Sequence, residues 1–319
     1  MKQRITYLCL LLSLITRAQQ TMLYTQYLFN KAGVNPAAAG ADINQKYNYV
    51  LGINRQWVGF ENAPRENFVN FSMTIRPPRS YHMWQNVGVY IDNQESGILN
   101  SNGFYANYTV HLLITKKWVA SVGVYVGLRT FFISPGDLDR NDPINQTSTF
   151  KTLMYPDIMP GFRLSNKKLF FDVSARQLSI TRLKDFNGHR IGSPSTLNPT
   201  LFADIGTRIP LSDVFMVMPS AAINAAVIGI PTVDVNVMAY YMSTFGAGLA
   251  LRNANFLSII CQLKILKNFS AGLAYSYSLN AARYAAPNSF EIMIGVTPFG
   301  MDDKPSGKHS IAKCPALDF

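Results

Sequence analysis

Residues Phe269–Ser278 read FSAGLAYSYS, and the alternation within this segment decides the fold. Large apolar side chains such as Leu273 and Tyr275 occupy the odd positions, whereas small or polar ones such as Ser276 occupy the even positions. Successive side chains of a β-strand point to opposite faces. The segment therefore predicts a strand with one apolar face and one small, polar face.

The same period of two recurs along most of the chain and predicts about fourteen strands. Val233 and Val235 alternate with Asp234, for example, and Phe104 alternates with Tyr105. Most candidates have the length of a membrane-spanning strand, about 9–11 residues. The candidate strands are 47–55, 67–75, 86–93, 103–113, 118–129, 158–165, 168–177, 201–209, 214–224, 233–241, 244–252, 256–265, 268–278 and 289–298.

The connections between these candidates alternate in length. Even-numbered ones such as 166–167 and 242–243 are short, whereas odd-numbered ones such as 130–157 and 178–200 are long. Bacterial outer-membrane barrels have short periplasmic turns and longer outer loops. The alternation therefore indicates a barrel with both ends of its wall in the periplasm, although 77–85 and 253–255 depart from the pattern.

Composition supports a barrel in lipid. Charged residues make up 15% of the chain and hydrophobic residues 48%, against a typical charged fraction of about 25%. In lipid a sheet has to close so that every backbone polar group is paired. We predict an all-β protein, a transmembrane antiparallel β-barrel of about fourteen strands in the outer membrane. Two sheets packed face to face in water are the alternative.

The chain ends lie outside the predicted barrel. Lys2, Arg4, an apolar run and Thr16-Arg17-Ala18 predict a signal peptide over 1–18, with a membrane anchor as the alternative. The remaining divisions are an N-terminal periplasmic or lumen segment (19–46), the barrel (47–299) and a tail (300–319). Of three cysteines, Cys261 and Cys314 remain after signal removal. They could pair in an oxidising compartment or stay free.

Two further features bear on partners. The net charge of +11 is scattered, whereas nucleic-acid binding needs a clustered basic face, so we expect no nucleic-acid partner. Positive charge suits anionic lipid headgroups or a polar lumen, and a solvated surface is the alternative. Aromatic residues near strand ends, including Tyr49, Trp84, Trp118 and Tyr240, favour interfacial girdles; the general preference of aromatics for strands is the other explanation.

Several blocks in one order carry a resemblance to a known family. They are Tyr24 to Asn30 (YTQYLFN), Asn35 to Gly40 (NPAAAG), Arg55-Gln56-Trp57 with Gly59 and Pro64, Val87 to Asn93, Gly272 to Tyr277, and Cys314-Pro315. Together they resemble the PorP/SprF family of type IX secretion membrane proteins. The resemblance implies a non-catalytic outer-membrane barrel of the secretion and gliding machinery. It also implies as partners a secreted adhesin or other protein with a C-terminal sorting domain, and further secretion components.

The family blocks supply candidate binding residues. Asn35-Pro36 with Gly40 forms a turn element that would let the N-terminal segment cross or plug the lumen, or serve as an ordinary loop. Arg55 is either a lumen cation or a partner contact. Trp57 is either a girdle anchor or an interface hot spot. The candidates of this group are Asn35, Pro36, Gly40, Arg55, Gln56, Trp57, Gly59 and Pro64.

The two longest loops are candidate contact surfaces, because long loops are usually functional; lids without a partner are the alternative. Their charged residues are Asp137, Asp139, Arg140, Asp142, Lys184, Asp185, His189 and Arg190. We expect no catalytic residues, cofactor or metal site, since no catalytic or metal-type motif occurs in the sequence. A small-solute channel and a hydrolase built on His111 are the rival functions.

Overall fold

The computed structural model describes residues 24–42, 45–75, 82–115, 117–133, 153–178, 199–227, 229–242, 244–266, 268–280, 284 and 288–297. Two short helices, α1 (Lys31–Val34) and a 3-10 turn (Pro36–Ala38), precede the strands. The strands are β1 Tyr47–Arg55, β2 Arg65–Ile75, β3 Met83–Ser96, β4 Leu99–Leu113, β5 Val119–Ile133, β6 Leu153–Ser165, β7 Leu169–Arg176, β8 Thr200–Thr207, β9 Ile209–Pro210, β10 Phe215–Ala226, β11 Thr232–Tyr241, β12 Phe245–Arg252, β13 Phe256–Leu266, β14 Phe269–Ser278 and β15 Asn288–Val296.

These strands form one closed antiparallel sheet. Apart from β8 and β9, each strand pairs with its neighbours in sequence, and the seam closes where β1 pairs with β15, Leu51 lying opposite Ile294. Both β8 and β9 pair with β10, so they are two parts of one wall strand interrupted at Arg208. In the part of the chain that is described, fourteen strands therefore surround the lumen. The predicted fold class is confirmed, and every predicted strand has a counterpart.

The largest boundary error lies at the start of β6, and the next largest lie at the start of β4 and the end of β5. The β5 strand extends to Ile133 and β6 begins at Leu153, so that Phe131 pairs with Leu153. The connection predicted as 130–157 is thus confined to 134–152. Pro156 and Pro160 concealed the start of β6, because prolines weaken a strand signal. Proline lacks an N–H donor. Both prolines lie in the part of β6 before Gly161, which does not pair with β7.

The two faces of the wall differ as the alternation predicts. Outward side chains such as Leu249, Ile259 and Leu273 are apolar and more than half exposed, which suits contact with hydrocarbon. Inward side chains are buried and largely polar, as Asn236 and Ser258 illustrate. The girdle prediction is wrong for Trp84 and Tyr240, because both point into the lumen and are buried.

The two ends of the barrel differ in their connections. The short-turn end carries 114–118, 166–168, 211–214, 242–244 and 267–268, together with 76–82. The long-loop end carries 56–64, 134–152, 177–199 and 279–287, together with the shorter 97–98, 227–231 and 253–255. Short turns face the periplasm in bacterial barrels, so we assign the long-loop end to the outside. Among the described residues, no helix is long and apolar enough to cross a membrane.

Candidate functional site: the lumen plug and the outer rim

The segment Tyr24–Gly40 lies inside the barrel, and we call it the plug. Nearly all of its side chains are buried. Asn30 and Asn35 cap its two short helical turns: the Asn30 side chain accepts a hydrogen bond from the Gly33 amide, and the Asn35 side chain accepts one from the Ala37 amide. Asparagine is a preferred cap residue, and Pro36 suits the first helical position. The sequence therefore folds this segment into a compact, capped piece.

A buried ionic cluster holds the middle of the plug. Lys31 Nζ lies 2.7 Å from Asp172 Oδ2 and 2.5 Å from Asp204 Oδ2. Arg163 donates to both oxygens of Asp172, at 2.9 and 2.8 Å. The Lys31 ammonium also lies 3.6 Å from the ring centroid of Phe170. Buried charges are tolerated only when paired and hydrogen-bonded, so this cluster fixes the position of the plug against β6, β7 and β8.

The Asn-Pro element packs directly against the wall. Asn35 Nδ2 donates to the Phe162 carbonyl and to Asp172 Oδ1, both at 2.9 Å. The plug approaches the wall closely here, because a Cβ added at Gly161 would collide with the side chains of Asn35 and Pro36. Asn35 and Pro36 therefore lie in the lumen, where the side-chain amide of Asn35 donates hydrogen bonds to β6 and β7.

The last residues of the plug, from Pro36 to Gly40, are held through their backbone carbonyls. Thr109 Oγ1 donates to the Pro36 carbonyl at 2.8 Å, and Trp84 Nε1 donates to the Gly40 carbonyl at 2.9 Å. His111 Nε2 lies 2.9 Å from the Ala39 carbonyl, and its Nδ1 lies 2.7 Å from Ser121 Oγ. Both ring nitrogens of His111 are thus occupied. Hydrogen bonding of a carbonyl to Nε2 requires its proton there, so Nδ1 accepts from Ser121.

Two carboxylates on the wall hold the first residues of the plug, from Tyr24 to Gln26. Glu291 accepts hydrogen bonds from the Thr25 and Gln26 amides at 2.7 and 3.0 Å. Glu66 accepts one from the Tyr24 hydroxyl and another from Gln94 Nε2. Burial, reinforced by the negative charge of Asp204, raises the pKa of Tyr27 above its ordinary value. Its phenol is therefore neutral where it meets Ser220 Oγ at 3.0 Å.

Further charged groups brace the wall beside the first residues of the plug. Arg129 binds both oxygens of Asp92, at 2.8 and 2.9 Å, and donates to the Tyr105 hydroxyl at 2.9 Å. Tyr105 donates in turn to Asp157 at 2.9 Å. Asp157, predicted as the end of a long loop, is therefore a lumen residue of β6. This network links β3, β4, β5 and β6 across the inside of the barrel.

The rim candidates lie apart from the plug. Asn35, Pro36 and Gly40 are in the lumen, whereas Gln56, Trp57, Gly59 and Pro64 belong to the β1–β2 loop at the long-loop end. That loop is ordered by the Gln56 amide, which donates to the Pro64 carbonyl at 2.9 Å. Its Trp57 is 37% exposed. The eight family-block candidates thus form two groups, not one site.

The alternative of Arg55 as a lumen cation is wrong. Arg55 shares a face with Leu51 and Ile53, and that face points outward. Its guanidinium donates to Asn67 Oδ1 at 2.8 Å and to the Glu66 carbonyl at 3.1 Å. The outer-loop candidates from Asp137 to Asp142 and from Lys184 to Arg190 lie outside the described residues, as does Cys314. Cys261 is exposed on β13, so the pairing of the two cysteines stays a prediction.

Sequence reasoning missed the residues that hold the plug. Lys31, Glu66, Asp172, Asp204 and Glu291 were not singled out as candidates. A usable signal was present: each of the four carboxylates occupies a polar position in an alternating strand, where the side chain must point inward. A charge on the polar face of a spanning strand predicts a buried partner, and Lys31 in the segment before β1 is one such partner.

A closed antiparallel wall with an apolar outside and a polar inside defines the class of outer-membrane β-barrels. The family model described as type IX secretion system membrane protein PorP/SprF matches residues 16–296. The chain therefore belongs to the PorP/SprF family and is an outer-membrane protein, which confirms the resemblance drawn from the sequence.

Two solved structures illustrate how the fold is shared. The chain is similar to the toluene transporter TbuX of Ralstonia pickettii, with 11% identity over 83% of this chain and 92% of that one, at a TM-score of 0.52. The toluene transporter TodX of P. putida has 9% identity over 82% of this chain and 90% of that one, at a TM-score of 0.44. At such identities the likeness to TbuX shows the fold alone. No curated protein matches the sequence.

Proposed function

We propose that this chain is a plugged scaffold that binds and anchors a secreted partner at the outer surface of the cell. The partner is a secreted adhesin or another protein with a C-terminal sorting domain, and other type IX secretion components are further partners. No bond chemistry is part of this role. Membership of the PorP/SprF family supports a role in type IX secretion. The plug inside the lumen supports the proposal that the barrel serves as a scaffold.

The plug is the observation that carries the proposal. Its contacts reach β2, β4, β6, β7, β10 and β15 on all sides of the lumen. A cavity of about 50 Å³ lies between the plug and β1 and β2, lined by Asn30, Gly40, Asn48 and Thr74 among others. That space suits only a few water molecules. A barrel filled in this way favours a binding role over transport.

The long-loop end offers the binding surface. Trp57, Val58 and Phe60 are exposed on the β1–β2 loop, and Val58 is tied to β15 by its amide, which donates to the Asn288 carbonyl at 2.9 Å. Trp and Arg are enriched at interface hot spots. We propose that this ordered loop and the charged residues of 134–152 and 179–198 contact the partner together.

Crosslinking in living cells tests the proposal. A photoreactive amino acid is placed at Asp139 and at His189 in the long loops, and at Lys167 in the short-turn end as the matched control. We expect the two loop positions to capture one secreted protein with a C-terminal sorting domain, and Lys167 not to capture it. Capture of lipopolysaccharide alone, or of nothing, from both loops would overturn the proposal.

The rival functions make different demands on the lumen. A small-solute channel, the kind of activity named for TbuX, needs a continuous path past the plug, and conductance measurements address this directly. A hydrolase using His111 needs a serine that the substrate can reach, but His111 and its partner Ser121 are both buried, and the second ring nitrogen of His111 is bonded to the plug. The geometry of His111 therefore supports a role in holding the plug.

A further inference from the structure

The outward face of the barrel changes character between two neighbouring rows of paired residues, near the long-loop end of β1 to β4. The row closer to the middle of the wall is apolar and exposed, and it consists of Leu51, Val69, Ile91 and Phe104. In the next outward row toward the long loops, β2, β3 and β4 carry Asn67, Asn93 and Asn102. On this side of the barrel, contact with hydrocarbon therefore ends between these two rows.

The asparagines of this row form a hydrogen-bonded ladder that ends at Arg55, and we call these residues the outer ladder. Arg55 Nη2 donates to Asn67 Oδ1 at 2.8 Å. Asn67 Nδ2 donates to Asn93 Oδ1 at 3.5 Å, and Asn93 Nδ2 donates to Asn102 Oδ1 at 2.8 Å. Because asparagine is depleted in strands, its recurrence along one outward row indicates a function of the amide side chains.

The positive charge of Arg55 meets only neutral hydrogen-bond partners among the described residues. Besides its bond to the ladder, its Nη1 donates to the carbonyls of Asn54 and Glu66 at 2.9 and 3.1 Å. Arg55 lies directly opposite Arg65 on β2, and Arg65 Nε lies 2.6 Å from Glu95 Oε2. Like charges directly opposite each other on two strands destabilise a sheet. The two guanidinium groups thus have one carboxylate beside them, and an added anion would relieve their repulsion.

The level of the two arginines in the membrane indicates which anion they meet. Arg55 and Arg65 lie on the lipid-facing side beyond the apolar row, where the headgroup region replaces hydrocarbon. The phosphate groups of lipid headgroups are the anions at this level. The planar guanidinium of arginine binds phosphate through two parallel hydrogen bonds, and the Arg65 side chain is 53% exposed. The amides of the ladder supply donors and acceptors that suit sugar hydroxyls.

We propose that Arg65 and the outer ladder bind the phosphorylated sugar headgroup of a glycolipid in the outer leaflet. The phosphate lies between the guanidinium groups of Arg55 and Arg65, and the sugar lies over Asn93 and Asn102. This site goes beyond the anchoring role and does not depend on it. A lipid bound there fixes the depth of β1 and β2 in the outer leaflet.

Titration of the purified barrel with lipid A in a non-ionic detergent tests the proposal, and native mass spectrometry counts the bound lipids. The probes are phosphorylated lipid A and the same lipid after removal of its phosphate groups. Arg55→Gln/Arg65→Gln removes both guanidinium groups. Lys117→Gln/Lys167→Gln is the matched control, because it removes two exposed cations from the short-turn end. Heat-modifiable migration on gels verifies that each barrel has folded.

We expect the wild type and the lysine control to bind one phosphorylated lipid with the same dissociation constant. In the arginine double variant that constant should rise at least about tenfold, because charge-assisted hydrogen bonds to phosphate are lost. Equal affinity of the two double variants overturns the proposal and leaves the arginines to the secreted partner. Equal binding of both lipids by the wild type also overturns it.

Two further measurements complete the test. Displacement of the lipid by excess inorganic phosphate would overturn the proposal, because the site would then take a soluble anion. Arg65→Gln alone removes a side chain that is bonded to Glu95 at the surface, so its barrel should fold even where that of the double variant does not. This single variant should lose part of the affinity, and wild-type affinity in a folded Arg65→Gln barrel would refute the site.

Discussion

At the scale of single residues, the most consequential side chain is that of Lys31. It is 4% exposed and carries the charge that neutralises Asp204 and part of that of Asp172. Removing one partner of a buried pair costs about 3–5 kcal/mol, because the remaining charge is left uncompensated. We expect Lys31→Met to lower the temperature at which the barrel unfolds, measured by heat-modifiable migration in detergent.

Two variants control this prediction. Lys167→Met removes an exposed lysine from the β6–β7 turn and should leave the unfolding temperature unchanged. Lys31→Met combined with Asp204→Asn should recover part of the loss, because neither member of that pair remains charged. An unchanged unfolding temperature for Lys31→Met alone would show that the ionic cluster does not stabilise the barrel.

The contact between Gly161 and the plug gives a second prediction. A β-branched side chain at this position would occupy the space now taken by Asn35 and Pro36. We expect Gly161→Val to displace the plug while β6 still forms, since valine favours strands. The readout is increased protease cleavage within residues 24–41. Ala106→Val, on the exposed outward face of β4, is the matched control and should leave cleavage at the wild-type level.

At the scale of elements, each strand has to match a different medium on each face. Leu249 lies outward near the middle of β12 and is 55% exposed. A charge at such a site costs about 2–4 kcal/mol at the bilayer midplane and about 0–1 near the interface. We expect Leu249→Arg to reduce the free energy of unfolding in lipid vesicles by about 2–4 kcal/mol.

The comparison site for this prediction is Leu211 in the β9–β10 turn, which is 63% exposed. Leu211→Arg should cost little, because the side chain lies at the short-turn end. Denaturant titration followed by tryptophan fluorescence measures both variants. Equal losses for the two would contradict the placement of β12 across the membrane.

The strands were predictable because their alternation is a local property. Each face of β14 can be read directly from Leu273 and Ser276, without knowing the neighbouring strands. The girdle assignment of Trp84 and Tyr240 failed because both occupy inward positions, where they pack against the lumen contents. The sequence left a lumen plug and an ordinary loop as alternatives for Asn35 and Pro36. It could not decide between them, because the contacts that hold the plug join residues more than a hundred positions apart. No local pattern encodes that pairing.

At the scale of the whole molecule, the plug determines whether ions can pass. We expect the wild-type barrel to pass little current in planar bilayers. A variant lacking residues 24–40 should conduct clearly, because fourteen strands leave space inside that eight strands would fill with side chains. Large, steady wild-type conductance would favour the channel function instead. The conductance of Gly161→Val should lie between that of the wild type and that of the variant lacking the plug, with intermittent openings.

Glu291 has a second consequence, which concerns the closure of the barrel. Glu291 belongs to β15, the last of the described strands, yet it accepts hydrogen bonds from the amides of Thr25 and Gln26, which precede the first strand. The same strand completes the ring by pairing with β1. The seam of the barrel and the attachment of the plug therefore meet in one strand, β15. A chain truncated before β15 would lack both the plug contact made by Glu291 and the pairing with β1 that closes the barrel.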